Sequence, residues 1–76
     1  MNTTEKISCL YQVAKEVYHN KFSKKIEAYT NEEKYQIILM DELLEELKAE
    51  VTKERYNHIE NHLRFLKEQA CRFRYG

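Results

Sequence analysis

The chain has no proline, no tryptophan and a single glycine, which is its last residue. Without glycine, phosphate-cradling nucleotide loops and tight β-hairpin turns lack the residue that takes positive φ without strain. Without proline, collagen-like, mucin-like and proline-rich segments are excluded. There is no run of about 18 apolar residues, so no segment reads as a membrane span. The first ten residues carry Glu5 and Lys6 and no apolar stretch, and do not read as a secretory signal. A cytoplasmic location is the expectation that follows, with Cys9 and Cys71 as reduced thiols. At 62 positions apart, the two cysteines form no zinc motif.

An excess charge of either sign is also missing: 13 basic residues balance 13 acidic ones. No global field draws the chain to nucleic acid or to an anionic membrane, so any such contact is local. Charged residues make up 34% and apolar residues 42%, which is not the balance of a disordered tail. At 76 residues the chain reads as one domain, 1–76. A domain of that size buries only about 60% of its unfolded surface. Phe, Tyr, Met, Ile, Asn and Lys total 30 residues, against 9 for Gly, Ala, Arg and Pro. That bias reads as AT-rich coding, as in a low-GC bacterium, its phages or its plasmids.

What is present is helical periodicity. Ile7, Leu10, Tyr11, Ala14, Val17, Tyr18, Phe22, Ile26 and Tyr29 follow one another at gaps of 1, 3 or 4. This predicts a first helix over 3–29, capped by Asn2 with Glu5 as its partner. Thr30 and Glu33 form a T-x-x-E capping box. After it, Tyr35, Ile38, Leu39, Leu43, Leu47 and Val51 form a stripe that Ile37, Met40 and Leu44 widen. So broad a face predicts a second helix, 31–51, with more than one neighbour, hence the central helix. Tyr56, Ile59, Leu63, Leu66, Ala70 and Phe73 give a third helix, 53–74, with a narrow heptad-like seam. Thr52 is a candidate N-cap. No glycine or proline marks a turn at 51–53, which leaves two architectures. The chain turns there, or residues 31–74 form one helix of ~66 Å whose seam demands a second chain. The fold class is all-α: a small antiparallel bundle of two to three helices, completed by dimerisation where its own core is too thin.

Most charges suit their helix ends, with acids at the starts and bases at the finishes. Asp41, Glu42, Glu45, Glu46 and Glu50 do not. Three like-charged i,i+4 pairs fall among them, each costing about 0.2–0.5 kcal/mol in an isolated helix. The structural expectation is that Lys15, Lys53 and Arg55 of neighbouring helices answer them. The functional expectation is an acidic face, with Glu42, Glu46 and Glu50 docking a basic partner. In the third helix, Arg64, Arg72 and Arg74 interleave with Phe65, Phe73 and Tyr75. Arg64, Phe65, Arg72, Arg74 and Tyr75 have the composition of a protein-binding hot spot. The same mixture serves a nucleic-acid contact less well, because acids on that helix weaken the field.

His58 and His62 are spaced i,i+4 on one helix face. After a turn near residue 52, Asp41 and Glu45 would lie opposite them. Two histidines and a carboxylate is a recognised metal pattern. Hydrogen bonding between those groups is the simpler expectation, and no metal or cofactor is assigned. Neither cysteine has a histidine near it in sequence, and no nucleophilic constellation is present, so no enzyme is expected. Cys9 reads as a small buried filler. The sequence is thus read as a cytosolic interaction module that modulates or inhibits a larger protein. A homodimer or heteromer is expected, and a dimeric nucleic-acid regulator is the alternative.

Overall fold

The structure, a computed structural model, describes residues 1–75, with side chains through residue 72. Those residues form three helices and no strand: α1 Thr3–Ser23, α2 Asn31–Glu50 and α3 Lys53–Tyr75. The fold is the expected small all-α bundle.

Each helix starts at the cap that the sequence proposes. The Asn2 side-chain carbonyl accepts the Glu5 N–H at 2.8 Å, and its amide donates to the Glu5 carboxylate at 3.1 Å. The Thr30 hydroxyl accepts the Glu33 N–H at 3.1 Å while the Glu33 carboxylate accepts the Thr30 N–H at 2.8 Å. The Thr52 hydroxyl accepts the Arg55 N–H at 3.2 Å. Each cap satisfies a backbone donor that has no partner within its helix.

Two boundaries bear on the expectations. The first helix ends at Ser23, not at residue 29. Lys24 is extended, with φ −155° and ψ 162°, and a single 3₁₀ turn over Ile26–Ala28 leads to α2. The Lys24 ammonium meets the Glu33 carboxylate at 2.7 Å, which ties the loop to the cap of α2. Ile26, counted in the helical stripe, is 65% exposed because no element covers it. At 51–52 the chain turns, which decides between the two architectures. Val51 is extended, with φ −108° and ψ 164°. Among the described residues none has positive φ, so both connections are built without glycine.

Helix direction follows from the pairs that meet. Lys6 meets Glu50, the Glu16 carboxylate accepts from Gln36, and Lys24 meets Glu33, so α1 and α2 are antiparallel. The Tyr11 ring packs against His62 at a tilt, and further along Lys15 and His19 border the same groove as Leu66 and Ala70. Hence α1 and α3 are parallel, an up-down-up arrangement. Cys9 and Cys71 are both free and half-buried; the register puts them roughly 16 Å apart along the bundle, far beyond disulfide reach.

The central helix is α1, not α2. Both α2 and α3 pack along α1 and touch one another little. Leu10 and Ala14 are wholly buried, with Val13 beside them. Val13 stands outside the sequence stripe but is covered, because α1 has neighbours on two sides. From α2 come Met40, Leu43 and Leu47, and from α3 Ile59 and Leu63. The broad apolar face of α2 is therefore only partly used: Tyr35 is 60% and Ile38 54% exposed. The molecule measures 35 × 28 × 15 Å. A closed triangle of helices at ~9 Å spacing would be roughly 15 Å across in both short directions. The 28 Å width reflects α2 and α3 splayed across α1.

This core predicts an asymmetry in mutational cost. Leu10→Ala should destabilise the protein by about 2–5 kcal/mol, since a fully buried leucine leaves a cavity. Ile38→Ala, on the open side of α2, should cost under about 0.5 kcal/mol. Urea unfolding followed by circular dichroism measures both, and comparable costs at the two positions would contradict the packing order.

Candidate functional site

The acidic segment of α2 resolves into two groups. Glu50 lies at the C-terminal end of α2, where the dipole of its own helix disfavours an anion. Antiparallel packing brings the first turn of α1 beside it. The Lys6 ammonium is hydrogen-bonded to the Glu50 carboxylate, and the Thr3 hydroxyl donates to it at 3.3 Å. Glu46 lies 3.9 Å from the same ammonium. An anion misplaced on α2 is thus well placed at the N-terminus of α1. The hydrogen bond from Lys6 holds the Glu50 carboxyl below its ordinary value, against the opposing pull of partial desolvation. The same bond holds the Lys6 ammonium above its own. The expected answering cations, Lys15, Lys53 and Arg55, do not fill this role. Lys15 lies further along α1, against the Glu32–Gln36 end of α2. Lys6 carries no sequence motif; only the antiparallel register, unknown in advance, points to it.

Asp41, Glu42 and Glu45 form the second group. All three are exposed. Among the described residues, no cation lies within 4.0 Å of any of them. Glu42 continues the line of Tyr35 and Ile38 at spacings of 3 and 4, so the outward side of α2 carries two open apolar side chains followed by Glu42 and Glu46. Asp41 and Glu45 lie round the helix toward α3, and burial, then the Glu60 charge, then the Glu45 charge hold the Tyr56 hydroxyl above its ordinary value.

On α3 the expected Arg and aromatic cluster is divided. Arg64 flanks the gap between α2 and α3 together with Glu60 and Lys67. Phe65 turns away from that gap, 51% exposed, with its ring centre 6.1 Å from that of His62. Arg72 is exposed and stands seven residues beyond Phe65, two turns along the same side. The side chains of Arg74 and Tyr75 lie outside the described residues, as does that of Phe73. Arg64 and Phe65, adjacent in sequence, therefore serve different surfaces, as neighbours about 100° apart on a helix do.

The histidine arrangement also differs from expectation. The His62 ring lies 4.1 Å from the Tyr11 ring at 46°, turned toward α1 rather than α2. His58 is exposed one turn earlier. Asp41 and Glu45 stand on the far side of α3 from this row, so neither metal sharing nor hydrogen bonding joins the four groups. Among the described residues no three His, Cys, Asp or Glu side chains converge on a metal position.

Between α2 and α3 runs an open groove of about 320 Å³. Met40 and Leu63 form its floor, with Tyr18, Leu44 and Tyr56 half-buried along it. Burial holds the Tyr18 hydroxyl above its ordinary value. The sequence placed Leu44 and Tyr56 in the core; their partial exposure follows from the splay of the two helices. No helix among the described residues is long and apolar enough to cross a membrane. No protein-family model matches the chain, and no curated protein or solved structure matches it.

The Lys6–Glu50 contact predicts a pH signature. A carboxylate held low in the folded state contributes stability that is complete above its ordinary value of 4.5 and is lost as pH falls through the folded value. Glu33, held low chiefly by Lys24 and by the Thr30 cap, acts in the same direction. In a carbon-detected NMR titration, Glu50 and Glu33 should protonate last among the glutamates as pH falls. Lys6→Met should return Glu50, but not Glu33, to the ordinary range; an unmoved Glu50 would remove Lys6 as the cause.

Proposed function

We propose that the protein is a non-enzymatic docking module that binds a larger protein through the outward side of α2 and acts by covering that protein's surface. The observation that carries this reading is the line Tyr35, Ile38 and Glu42, with Glu46, one turn on, already beside Lys6. Its first two members are large apolar side chains more than half exposed, and Glu42 has no cation within ion-pair distance among the described residues. Apolar anchors flanked by one sign of charge suit a partner with an apolar recess and a basic rim. The anchors supply contact area, while the charges speed encounter and exclude wrong partners. A partner's basic residues would also relieve the like-charge repulsion that α2 carries along its length. A regulatory or inhibitory role in the cytosol belongs to this proposal.

The nucleic-acid alternative has less support. Arg64 and Lys67 share their edge with Glu60, and Arg72 lies on another side of α3, so these cations form no continuous phosphate-tracking stripe. Phe65 and Arg72 stand as a secondary contact surface of the same module.

The test compares the wild type with an Ile38→Asp, Glu42→Lys double variant in affinity capture from cells that express it. The expected result is one protein held in near-stoichiometric amount by the wild type, insensitive to nuclease and released by salt. The variant, with unchanged helicity, should lose it at least tenfold. Equal retention by the variant, or recovery of nucleic acid in place of protein, would overturn the proposal.

A further inference from the structure

The flank where α3 lies along α1, on the far side of α3 from the α2 groove, is cationic and aromatic. Lys15 and His19 of α1 and Leu66, Gln69 and Ala70 of α3 line a hollow of about 290 Å³ there. Toward the start of α3 the His62 ring packs against Tyr11. Burial raises the Tyr11 hydroxyl, and Arg55 is near enough for its charge to oppose that rise. Arg55, His62 and Gln69, spaced by seven, form one line along the flank, with the exposed His58 beside it. The neighbouring acids face elsewhere. Glu60 borders the α2 gap, and Glu68 lies on the outer edge of α3. Glu54 sits in the first turn, beyond His58. The Glu16 carboxylate accepts from Gln36 of α2, and that of Glu5 from Asn2. The outward ridge of α2 has the complementary character. Tyr35 and Ile38 are more than half exposed, and Glu42 and Glu45 follow with no cation within 4.0 Å among the described residues. The spacings also agree. On α3, the hollow between Leu66 and Ala70 lies ~9 Å along the axis from His62 and ~20 Å from Arg55. On α2, the midpoint of Tyr35 and Ile38 lies ~8 Å from Glu42 and ~13 Å from Glu45, and the long Glu45 and Arg55 side chains span the remainder.

We propose that the α1/α3 flank takes the α2 ridge of a second copy of this chain, so that copies join head to tail. Tyr35 and Ile38 of one copy cover the hollow of the next, beside Leu66 and Ala70. Glu42 then lies along His62, and Glu45 along His58 and Arg55. The incoming α2 runs antiparallel to α1 and α3, as the chain's own α2 does to α1, and this direction carries its acids toward Arg55. The contact has an apolar centre with charges of opposite sign at its rim. Ridge and flank belong to opposite edges of a molecule 28 Å wide, with α1 between them, so two copies cannot exchange both contacts. The interface is therefore heterologous, and each assembly keeps one open ridge and one open flank. This inference rests on the docking reading of α2 and adds its regulation: a second copy and a larger protein compete for one ridge.

Two one-sided variants test the contact. A ridge variant carries Ile38→Asp and Glu42→Lys. A flank variant carries Lys15→Glu and Arg55→Glu, both at exposed positions, the second in the first turn of α3 where an acid suits the helix dipole. In sedimentation equilibrium the wild type should show a mean mass that climbs with concentration past twice its 9.3 kDa chain mass. Each variant alone should keep the mass of one chain. An equimolar mixture should give a one-to-one heterodimer and nothing larger, because one intact ridge and one intact flank remain. That heterodimer also shows that both variants fold. A wild type that is monomeric up to roughly 1 mM or that stops at a dimer, a variant that associates alone, or a mixture that stays monomeric would each overturn the head-to-tail contact. The flank variant, its ridge unoccupied, should capture the larger protein at least as well as the wild type. The expected masses with no protein captured by either chain would overturn the docking reading alone.

Discussion

The structure depends on one buried strip of α1. Leu10 and Ala14 lie one turn apart, and both are wholly enclosed, so the strip is covered by two helices at once. A leucine supplies area to bury, roughly 1.5–3 kcal/mol for full burial. An alanine supplies room, letting two backbones approach where a larger side chain would hold one away. In a chain this short, with no disulfide and no metal position among the described residues, there is little else to organise a core. Because α1 takes both neighbours, α2 and α3 have little apolar surface left to share with one another, and they diverge.

That divergence shapes the surface. It opens the groove over Met40 and Leu63, and it rotates the apolar face of α2 so that Tyr35 and Ile38 face outward. The packing of α2 along α1 sets the antiparallel register in which Lys6 reaches Glu46 and Glu50. Exposed ion pairs of this kind contribute little to stability on their own. Their effect here is to neutralise the end of the acidic segment that abuts α1, leaving Asp41, Glu42 and Glu45 free to define the outer and groove-side surfaces. Half of a charge pattern that looks uniform in sequence is thus structural, and half is presented outward.

Much of the fold was legible in the residues, for physical reasons that vary by element. The caps at Asn2, Thr30 and Thr52 act within a turn of chain, so local sequence suffices to identify them. The seam Ile59–Leu63–Leu66 was equally readable, since one neighbour covers it. The end of α1 was not: the stripe continues through Ile26 and Tyr29, and only the Lys24–Glu33 contact and the start of α2 require the chain to leave the helix earlier. Which helix is central was not legible either. Periodicity gives the width of an apolar face but not how much of it a neighbour covers, and α2 is wider than its cover. The candidate surfaces suffered from the same limit. Arg64 and Phe65 look like one cluster in sequence, and the rotation of α3 parts them. The pairing of Lys6 with Glu50 spans 44 positions and has no local signal.

Native-state hydrogen exchange tests most directly whether α1 is the element on which the others depend. The slowest amides should lie in α1 around residues 10–17 and exchange only with global unfolding, while the outward side of α2 and the far half of α3 open at lower free energy. If the slowest amides lie in α2 and α1 exchanges through a partial opening that leaves α2 and α3 protected, then α1 does not hold the bundle together and the account is wrong.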